Sequence, residues 1–180
     1  MLTTDSLDAA QKKAVERLHR DLQELELNLA GEAGASDYLQ DYLQKKQTVL
    51  NFTPSIMPVR GWISSRYGYR VSPFTGRREF HKGVDIVNRR GTPVVATADG
   101  RVKFAGYNGG YGRMVVIDHG IGLATKYGHL SKIYVKIGDR VVRGQKIGLV
   151  GNSGRSTGPH LHYEVVVNGQ SVNPVNYFVN

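Results

Sequence analysis

Residues 98–130 read ADGRVKFAGYNGGYGRMVVIDHGIGLATKYGHL, and the pattern of this stretch indicates the fold class. It contains short Val/Ile-rich segments at Arg101 to Ala105, Met114 to Asp118 and Leu123 to Tyr127, separated by glycine-containing turns. Strands at this spacing, joined by turns of the Asp-Gly type, indicate antiparallel pairing rather than parallel strands crossed by helices. The stretch therefore predicts an all-β antiparallel domain.

The same pattern continues on both sides of this stretch. Further predicted strands are Val94-Val95-Ala96, Arg140 to Val142 and Leu161 to Val167. Of the 22 glycines, 20 follow residue 51, and the change in composition is marked at Gly61. We expect the β-domain to span residues 61–180.

The first 51 residues follow a helical pattern instead. Apolar residues at alternating spacings of three and four form a stripe made of Val15, Leu18, Leu22, Leu25 and Leu29. A second helix is predicted from about Ser36 to Leu50. We expect residues 1–51 to form a helical hairpin or the stub of a longer coiled coil, and residues 52–60 to form a linker marked by two prolines.

Charge is distributed unevenly between these two parts. Residues 1–51 carry 6 Lys+Arg against 9 Asp+Glu, a net charge of −3, whereas residues 52–180 carry 18 against 6, a net charge of +12. A domain this basic favours a polyanionic partner, such as nucleic acid or an acidic cell-wall polymer. The basic residues are scattered and do not alternate with aromatic ones, so we expect no nucleic-acid partner; a solvated basic surface explains the charge equally well.

Two absences narrow the choice of function. The chain has no cysteine, which excludes a thiolate-closed zinc site and a thiol nucleophile. No apolar run approaches the roughly 20 residues that span a bilayer, and Asp5 and Asp8 do not fit a signal peptide. We expect either a cytosolic protein or a fragment from which an export or anchor segment has been removed.

A pattern of metal-binding residues lies in the β-domain. His81 and Asp85 form a His-x-x-x-Asp motif, and His160-Leu161-His162 follows much later. Two imidazoles and a carboxylate predict an open, catalytic zinc site, because three protein ligands leave a fourth position free. Positions 81 and 85 would lie about 13 Å apart on a straight strand, so the chain must bend between them, and Gly83 permits the bend.

The His-Leu-His motif has its own geometry. On a strand, His160 and His162 share one face about 7 Å apart, so one can bind the metal while the other faces water or substrate. Leu161, Tyr163 and Val165 then point to the opposite side, where we expect the core.

Six stretches together carry a resemblance to a known family. They are Gly61-Trp62-Ile63-Ser64-Ser65-Arg66-Tyr67-Gly68, His81-Lys82-Gly83-Val84-Asp85-Ile86, Gly109-Gly110-Tyr111-Gly112, Ile117-Asp118-His119-Gly120, Tyr127-Gly128-His129-Leu130 and Gly158-Pro159-His160-Leu161-His162. In this order they closely resemble the LytM/lysostaphin-type zinc metallopeptidases, the M23 family of peptidoglycan endopeptidases. The resemblance covers about residues 56–178 and implies a LytM-type β-fold similar to a barrel-sandwich hybrid.

The resemblance also implies roles for five residues. It makes His81, Asp85 and His162 the ligands of Zn²⁺, and His129 and His160 the catalytic histidines beside the metal-bound water. Zinc would polarise the peptide carbonyl and lower the pKa of water, and a histidine would move the proton. The chain has no His-Glu-x-x-His motif, so histidine must fill the role of the glutamate base of other zinc peptidases.

The function implied is hydrolysis of peptide cross-links or stems of bacterial peptidoglycan, in the periplasm, cell envelope or outside the cell. Such proteins often carry a coiled coil and a membrane anchor, and the helical arm could mediate self-association. An alternative is a non-enzymatic LytM-type protein that binds the wall or activates another hydrolase. Residues 135–151 also resemble hairpins of biotinyl and lipoyl carrier domains, but the lysine motif that such domains modify is absent.

Four other features have two interpretations each. Glu164 could orient a metal ligand or form a surface salt bridge, and Arg66 could contact substrate or pack on the fold. His119, in an Asp-His-Gly turn, is expected to be structural, and the alternative is that it lines the groove. The glycine-rich segments 106–112 and 151–158 lack the Gly-Lys-Ser/Thr of a phosphate loop, so we expect them to be walls of a groove that admits an extended peptide.

Overall fold

The computed structural model describes residues 20–21 and 35–178. Helix α1 spans Ala35–Phe52, which confirms the second predicted helix. Residues 20 and 21 are helical, but the whole apolar stripe, and with it the predicted hairpin, lies outside the described residues. None of the described helices is both long and apolar enough to cross a membrane. The chain divides into two compact units, Met1–Thr48 and Val49–Asn180.

The second unit is built from strands. In the described part of the chain these are β1 (Trp62–Ser65), β2 (Gly68–Val71), β3 (Arg78–His81), β4 (Val84–Val87), β5 (Pro93–Val95), β6 (Gly100–Tyr107), β7 (Arg113–Gly120), β8 (Leu123–Leu130), β9 (Lys132–Ile133), β10 (Arg140–Val141), β11 (Lys146–Leu149), β12 (His160–Val167) and β13 (Gln170–Val172). Short 3₁₀ helices in the same part of the chain span Gly109–Tyr111 and Pro174–Tyr177. Each of the six predicted strands coincides with one of these elements.

The strands form one large sheet and two small ones. The large sheet has the order β1-β4-β12-β8-β7-β6-β10, with β13 paired to β12. Strands β5, β11 and β9 form a three-stranded sheet, and β2 and β3 form a two-stranded one. Every pair among the named strands is antiparallel, which confirms the predicted fold class.

The core lies behind the central strands of the large sheet. On β12, alternate residues Leu161, Tyr163 and Val165 are fully buried, as their spacing predicts. They pack in one cluster with apolar residues of β4, β7, β8 and β11. Burying a side chain of this size stabilises the fold by about 1.5–3 kcal/mol. The opposite face of β12 is thus free to carry its histidines.

The proline-containing segment before β1 is packed against the β-domain. Pro54 and Val59 are buried, and the amide of Val95 donates to the carbonyl of Pro58 (2.9 Å). The amide of Ser55 donates to the carbonyl of Thr97, in the loop after β5 (3.3 Å). This segment therefore contributes backbone hydrogen bonds and apolar surface to the second unit.

A buried hydrogen-bond network crosses the core. The hydroxyls of Tyr127 and Tyr163 both lie 3.0 Å from Oγ1 of Thr97, and Oγ1 of Thr125 donates to Tyr127 (3.0 Å). His119 extends the network, because its Nε2 lies 2.8 Å from Oγ1 of Thr125. All five residues are buried, so each satisfied polar group avoids a desolvation cost of about 1–3 kcal/mol. This burial agrees with a structural role for His119.

The bend between β3 and β4 generates the first prediction. A Cβ placed on Gly83 would overlap the carbonyl oxygen of Tyr163. We expect Gly83→Ala to lower the free energy of unfolding by about 1–3 kcal/mol, because β4 would have to move away from β12. Urea unfolding measures the loss. Gly106→Ala is the control, since its Cβ would meet only the Phe104 ring at 3.4 Å; an equal loss in both variants would contradict the prediction.

A second prediction concerns His119 and pH. Burial lowers the pKa of His119, although its hydrogen bond to the carbonyl of Asp99 opposes the shift. The unfolded chain therefore gains a proton near pH 6.5 that the folded chain does not, and stability falls as the pH drops below this value. We expect His119→Gln to be less stable than the unsubstituted chain at pH 7.5, with the difference shrinking toward pH 5.5. Urea unfolding with EDTA tests this; parallel pH profiles would refute it.

Candidate metal centre

Three strands bring the predicted ligands together. His81 is the last residue of β3, and Asp85 is the second residue of β4, after the bend at Gly83. Asp85 lies directly opposite His162 in the antiparallel pair of β4 and β12. Side chains at such positions have Cβ atoms about 4.5–5.5 Å apart, close enough to reach one ion. The bend thus turns a sequence separation of four into a shared site.

The three donor atoms converge closely. Nε2 of His81 lies 3.1 Å from Nδ1 of His162 and 3.2 Å from Oδ1 of Asp85. Nδ1 of His162 lies 2.8 Å from the same carboxylate oxygen. Ligands held at about 2.1 Å around a tetrahedral zinc are about 3.4 Å apart, so this spacing fits a zinc ion with slight expansion. All three residues are buried.

The outer nitrogens of both rings are already committed. Nδ1 of His81 lies 2.9 Å from the carbonyl oxygen of Arg66, and Nε2 of His162 lies 3.1 Å from Oε1 of Glu164. Both partners are acceptors, so these nitrogens carry the hydrogens and the inner nitrogens of the neutral rings are lone pairs. Two nitrogen lone pairs and a carboxylate oxygen then face one point, and this arrangement can bind a cation.

The electrostatics of the centre agree. Burial would raise the pKa of Asp85. A proton on the inner nitrogen of His162 or His81 outweighs burial, because it makes that nitrogen a hydrogen-bond donor to Asp85, and it holds the pKa of Asp85 well below its usual range. Burial would lower the pKa of His162, and its hydrogen bonds to Asp85 and Glu164 raise it instead. The site therefore attracts positive charge, for which a proton and a metal ion compete.

Glu164 supports His162 from below. Its side chain is fully buried, and its carboxylate accepts from Tyr111 (2.7 Å) and Lys126 (2.9 Å) as well as from His162. Burial opposes ionisation, but these three hydrogen bonds lower the pKa of Glu164 to about 2. Burial and the contact with Glu164 raise the pKa of Tyr111, which stays a donor. Glu164 therefore fixes the ring of His162, the first of the two interpretations given above, and its ion pair with Lys126 is not the surface salt bridge of the second, because Glu164 is fully buried.

His129 lies beside the cluster in a strained conformation. Its φ of 59° is in the left-handed region, which is uncommon for a non-glycine residue and often marks a functional site. Its Nδ1 donates to the carbonyl of Ser153 (2.8 Å), so Nε2 is the free nitrogen. Burial lowers the pKa of His129 to about 4, which leaves the ring neutral at neutral pH.

His160 has the same arrangement. Its Nδ1 donates to the carbonyl of Gly158 (2.8 Å), and its Nε2 lies 3.6 Å from Oδ1 of Asp85. The ring centroids of His160 and His129 are 4.7 Å apart. Two imidazoles with free nitrogens thus stand next to the three converging donors, and each could accept or donate a proton there.

The cluster lies at the floor of an open groove of about 870 Å³. Gly110 and Tyr111 line it on one side, and residues 155–159 line it on another. The two segments are joined by a hydrogen bond from the amide of Arg155 to the carbonyl of Gly110 (2.8 Å). Both glycine-rich segments therefore form walls of the groove, as predicted.

Sequence reasoning missed other residues of this groove. Arg70 and Glu79, on β2 and β3, line it beside Asp85, and Arg155 also lines it, with its guanidinium 3.8 Å from Oε2 of Glu79. Arg70 and Glu79 could not be predicted to meet, because the β2–β3 hairpin has no Asn-Gly or Asp-Gly turn that would predict its register. Arg66, for which the sequence suggested either substrate contact or packing, has an exposed side chain, and its carbonyl oxygen contacts Nδ1 of His81.

Comparison with known proteins places this geometry in a family. The model of Peptidase family M23 matches residues 79–174, more than half of the chain, and the chain belongs to this family. The peptidoglycan DD-endopeptidase ShyA of Vibrio cholerae is 51% identical over 112 residues, which cover 62% of this chain and 26% of that protein. The chain thus spans about a quarter of the length of ShyA and of other curated relatives that it matches.

Solved structures show the same fold. A zinc-containing peptidase from Vibrio cholerae matches with a TM-score of 0.59 and 43% identity over 68% of this chain and 38% of that one. The catalytic domain of lysostaphin from Staphylococcus simulans matches with a TM-score of 0.60 and 35% identity, over 65% of this chain and 91% of that one. The β-domain therefore has the predicted LytM/lysostaphin-type fold.

Proposed function

We propose that this chain is a zinc-dependent endopeptidase that hydrolyses peptide cross-links of bacterial peptidoglycan. The observation that carries the proposal is the convergence of three lone-pair donors at one point, with two further histidines beside them, on the floor of an open groove. A cation site of this kind in a member of the M23 family fits peptide hydrolysis. The names of similar proteins, a peptidoglycan DD-endopeptidase and a zinc-containing peptidase, support the substrate and the metal.

In this proposal His81, Asp85 and His162 hold the zinc ion. The donor set of two imidazoles and one carboxylate is one that catalytic zinc accepts, and the hydrogens on the outer ring nitrogens keep the inner ones available. When bound, zinc acts as a Lewis acid that lowers the pKa of water and polarises the scissile carbonyl.

His129 and His160 handle the proton. Each ring donates from Nδ1 to a backbone carbonyl, so each presents Nε2 as a base. One Nε2 takes the proton of the attacking water, and a protonated ring returns a proton to the leaving amine nitrogen. The fixed Nδ1 contacts hold both rings in orientation throughout, without side-chain reorganisation.

The groove and the charge favour a cell-wall substrate. The groove is open, and the walls at 110–111 and 155–159 leave room for an extended peptide. The basic surface of residues 52–180 attracts an acidic polymer. Because the named relative is a DD-endopeptidase, a direct peptide cross-link is the preferred target rather than a glycine bridge. The substrate implies a location in the cell envelope, the periplasm in a Gram-negative cell.

The test separates metal binding from proton transfer. We expect Asp85→Ala and His162→Ala to lose bound zinc and all hydrolysis of defined cross-linked muropeptides. His129→Ala and His160→Ala should keep zinc but lose at least about 100-fold in rate, because they remove only acid–base catalysis. Zinc content is measured by metal analysis, and the cleaved bond is identified from the product masses.

Each class of variant serves as the control for the other. Full zinc occupancy in Asp85→Ala would show that the ligand assignment is wrong. Zinc binding without hydrolysis of any cross-link would favour the alternative, a wall-binding or hydrolase-activating protein. Cleavage of glycine bridges only would contradict the preferred bond.

We further propose that residues 1–51 form an arm that mediates self-association or restrains access to the groove. Residues 52–60 link this arm to a peptidase domain at residues 61–180. The whole protein is held at the membrane in this proposal. Exposed Leu39 and Leu43, one turn apart on α1, support an apolar contact by the arm. Deleting residues 1–50 should lower the mass per particle or raise the hydrolysis rate while zinc stays bound. Unchanged mass and rate would leave the arm a spacer, and loss of zinc would show that it is not accessory.

A further inference from the structure

Arg70 connects the β2–β3 hairpin to the metal centre. Its Nη1 donates to Oδ2 of Asp85 (2.8 Å) and to Oγ of Ser65 (2.6 Å). Its Nε donates to Oε1 of Glu79 (3.2 Å), which lies directly opposite Arg70 in the hairpin. The guanidinium is therefore held at three points, and one of them is the oxygen of Asp85 that does not face the histidines.

The hairpin that carries this pair also carries a ligand. Strand β3 contains Glu79 and ends with His81, while β2 contains Arg70. Within the described residues these two strands form a sheet of their own and pair with no other strand. The positions of one ligand and of the group that holds a second ligand are thus set by the same two-stranded unit.

The contact restricts how Asp85 can bind an ion. A free carboxylate can rotate and offer either oxygen or both. Because Arg70 occupies Oδ2, only Oδ1 points at His81 and His162. A planar guanidinium held at three points fixes such an orientation better than an ammonium on a flexible stem.

Without a neutralising partner, the positive charge of Arg70 would weaken the binding of a metal ion by Asp85. A guanidinium bonded to a metal ligand repels an incoming cation and lowers the basicity of the carboxylate. Glu79 neutralises it at 3.2 Å, and the side chains of Arg70 and Glu79 are only 26% and 33% exposed, so solvent screens the pair incompletely. The pair orients Asp85 and carries no net charge of its own, although Arg155 also lies 3.8 Å from the other carboxylate oxygen of Glu79.

We propose that Arg70 and Glu79 are a positioning pair that fixes Asp85 as a one-oxygen ligand and thereby sets the zinc affinity of the centre. The inference rests on the proposed zinc site and goes beyond it, because it assigns to two residues outside the ligand set a role in metal affinity. Glu79 acts on Asp85 through Arg70 and has no separate contact with it.

The experiment measures zinc affinity of the full chain by competition with a chromogenic chelator. Arg70→Met should weaken zinc binding about 10- to 100-fold, as loss of a partner to a metal ligand typically does. Arg70→Lys keeps the charge but not the fork, so it should recover only part of the loss. Glu79→Gln should weaken binding by up to about fivefold, the size of one partly screened ion pair.

The double variant tests whether the two residues act as a unit. Since Glu79 acts through Arg70, Glu79→Gln should have no further effect when Arg70 is already Met. Arg78→Gln is the matched control, because it removes a positive charge from the same hairpin at an exposed side chain that stacks on Tyr69 away from the ligands. Its zinc affinity should equal that of the unsubstituted chain.

Cobalt substitution gives a second readout that loss of folding would not imitate. If Asp85 gains both oxygens as ligands in Arg70→Met, the visible absorption of the Co²⁺ protein should weaken, as the coordination number rises. Zinc affinity within twofold of the unsubstituted chain and an unchanged Co²⁺ spectrum would overturn the proposal. If Arg70→Met does not fold, the affinities of Arg70→Lys and Glu79→Gln decide, and equality with the Arg78→Gln control overturns it.

The outcome is separable from that of the proposed function. A chain that binds zinc with the predicted dependence on Arg70 but cuts no cross-link would retain this inference and lose the endopeptidase assignment. A chain that cuts cross-links normally with zinc affinity independent of Arg70 and Glu79 would do the reverse.

Discussion

The antiparallel pairing of β4 with β12 is the constraint on which the site depends. It places Asp85 opposite His162 and buries Leu161 and Tyr163 on the other face of the same strand. The pairing leaves no room for a side chain at Gly83, so the bend that returns the chain from His81 is set by the same contact. The pairing of β4 with β12 therefore sets both the packing of the core and the spacing of Asp85 and His162, to which the bend adds His81 from β3.

The electrostatic design follows from that placement. Donor atoms 2.8–3.2 Å apart would repel one another as lone pairs, and only a proton or a metal ion offsets this. The carbonyl of Arg66 and the carboxylate of Glu164 hold the ring hydrogens on the outer side, which keeps the inner nitrogens available to such an ion. Arg70 holds the second oxygen of Asp85 in the same way.

Much of this could be predicted from the chain itself. Val/Ile-rich segments separated by glycine turns gave the antiparallel fold, because side-chain alternation and turn chemistry are local properties. The spacing of His160 and His162 gave a shared face, and the structure has both near Oδ1 of Asp85. The resemblance pointed to His129, whose sequence context alone has no such signal, since its position depends on a left-handed backbone conformation.

The residues of the sequence predicted the periodicity of the strands, the types of side chain that can bind a metal and the need for a bend at Gly83, while the resemblance to a family supplied the choice of ligands. Only the tertiary structure decided which groups hold those donors in place. Glu164 became a buried partner of His162 because β12 pairs with β8, which brings Lys126 opposite it. Arg70 reached Asp85 because the β2–β3 hairpin folds over β4. Register and long-range contact are set by the balance of packing over the whole sheet, and no local pattern encodes that balance.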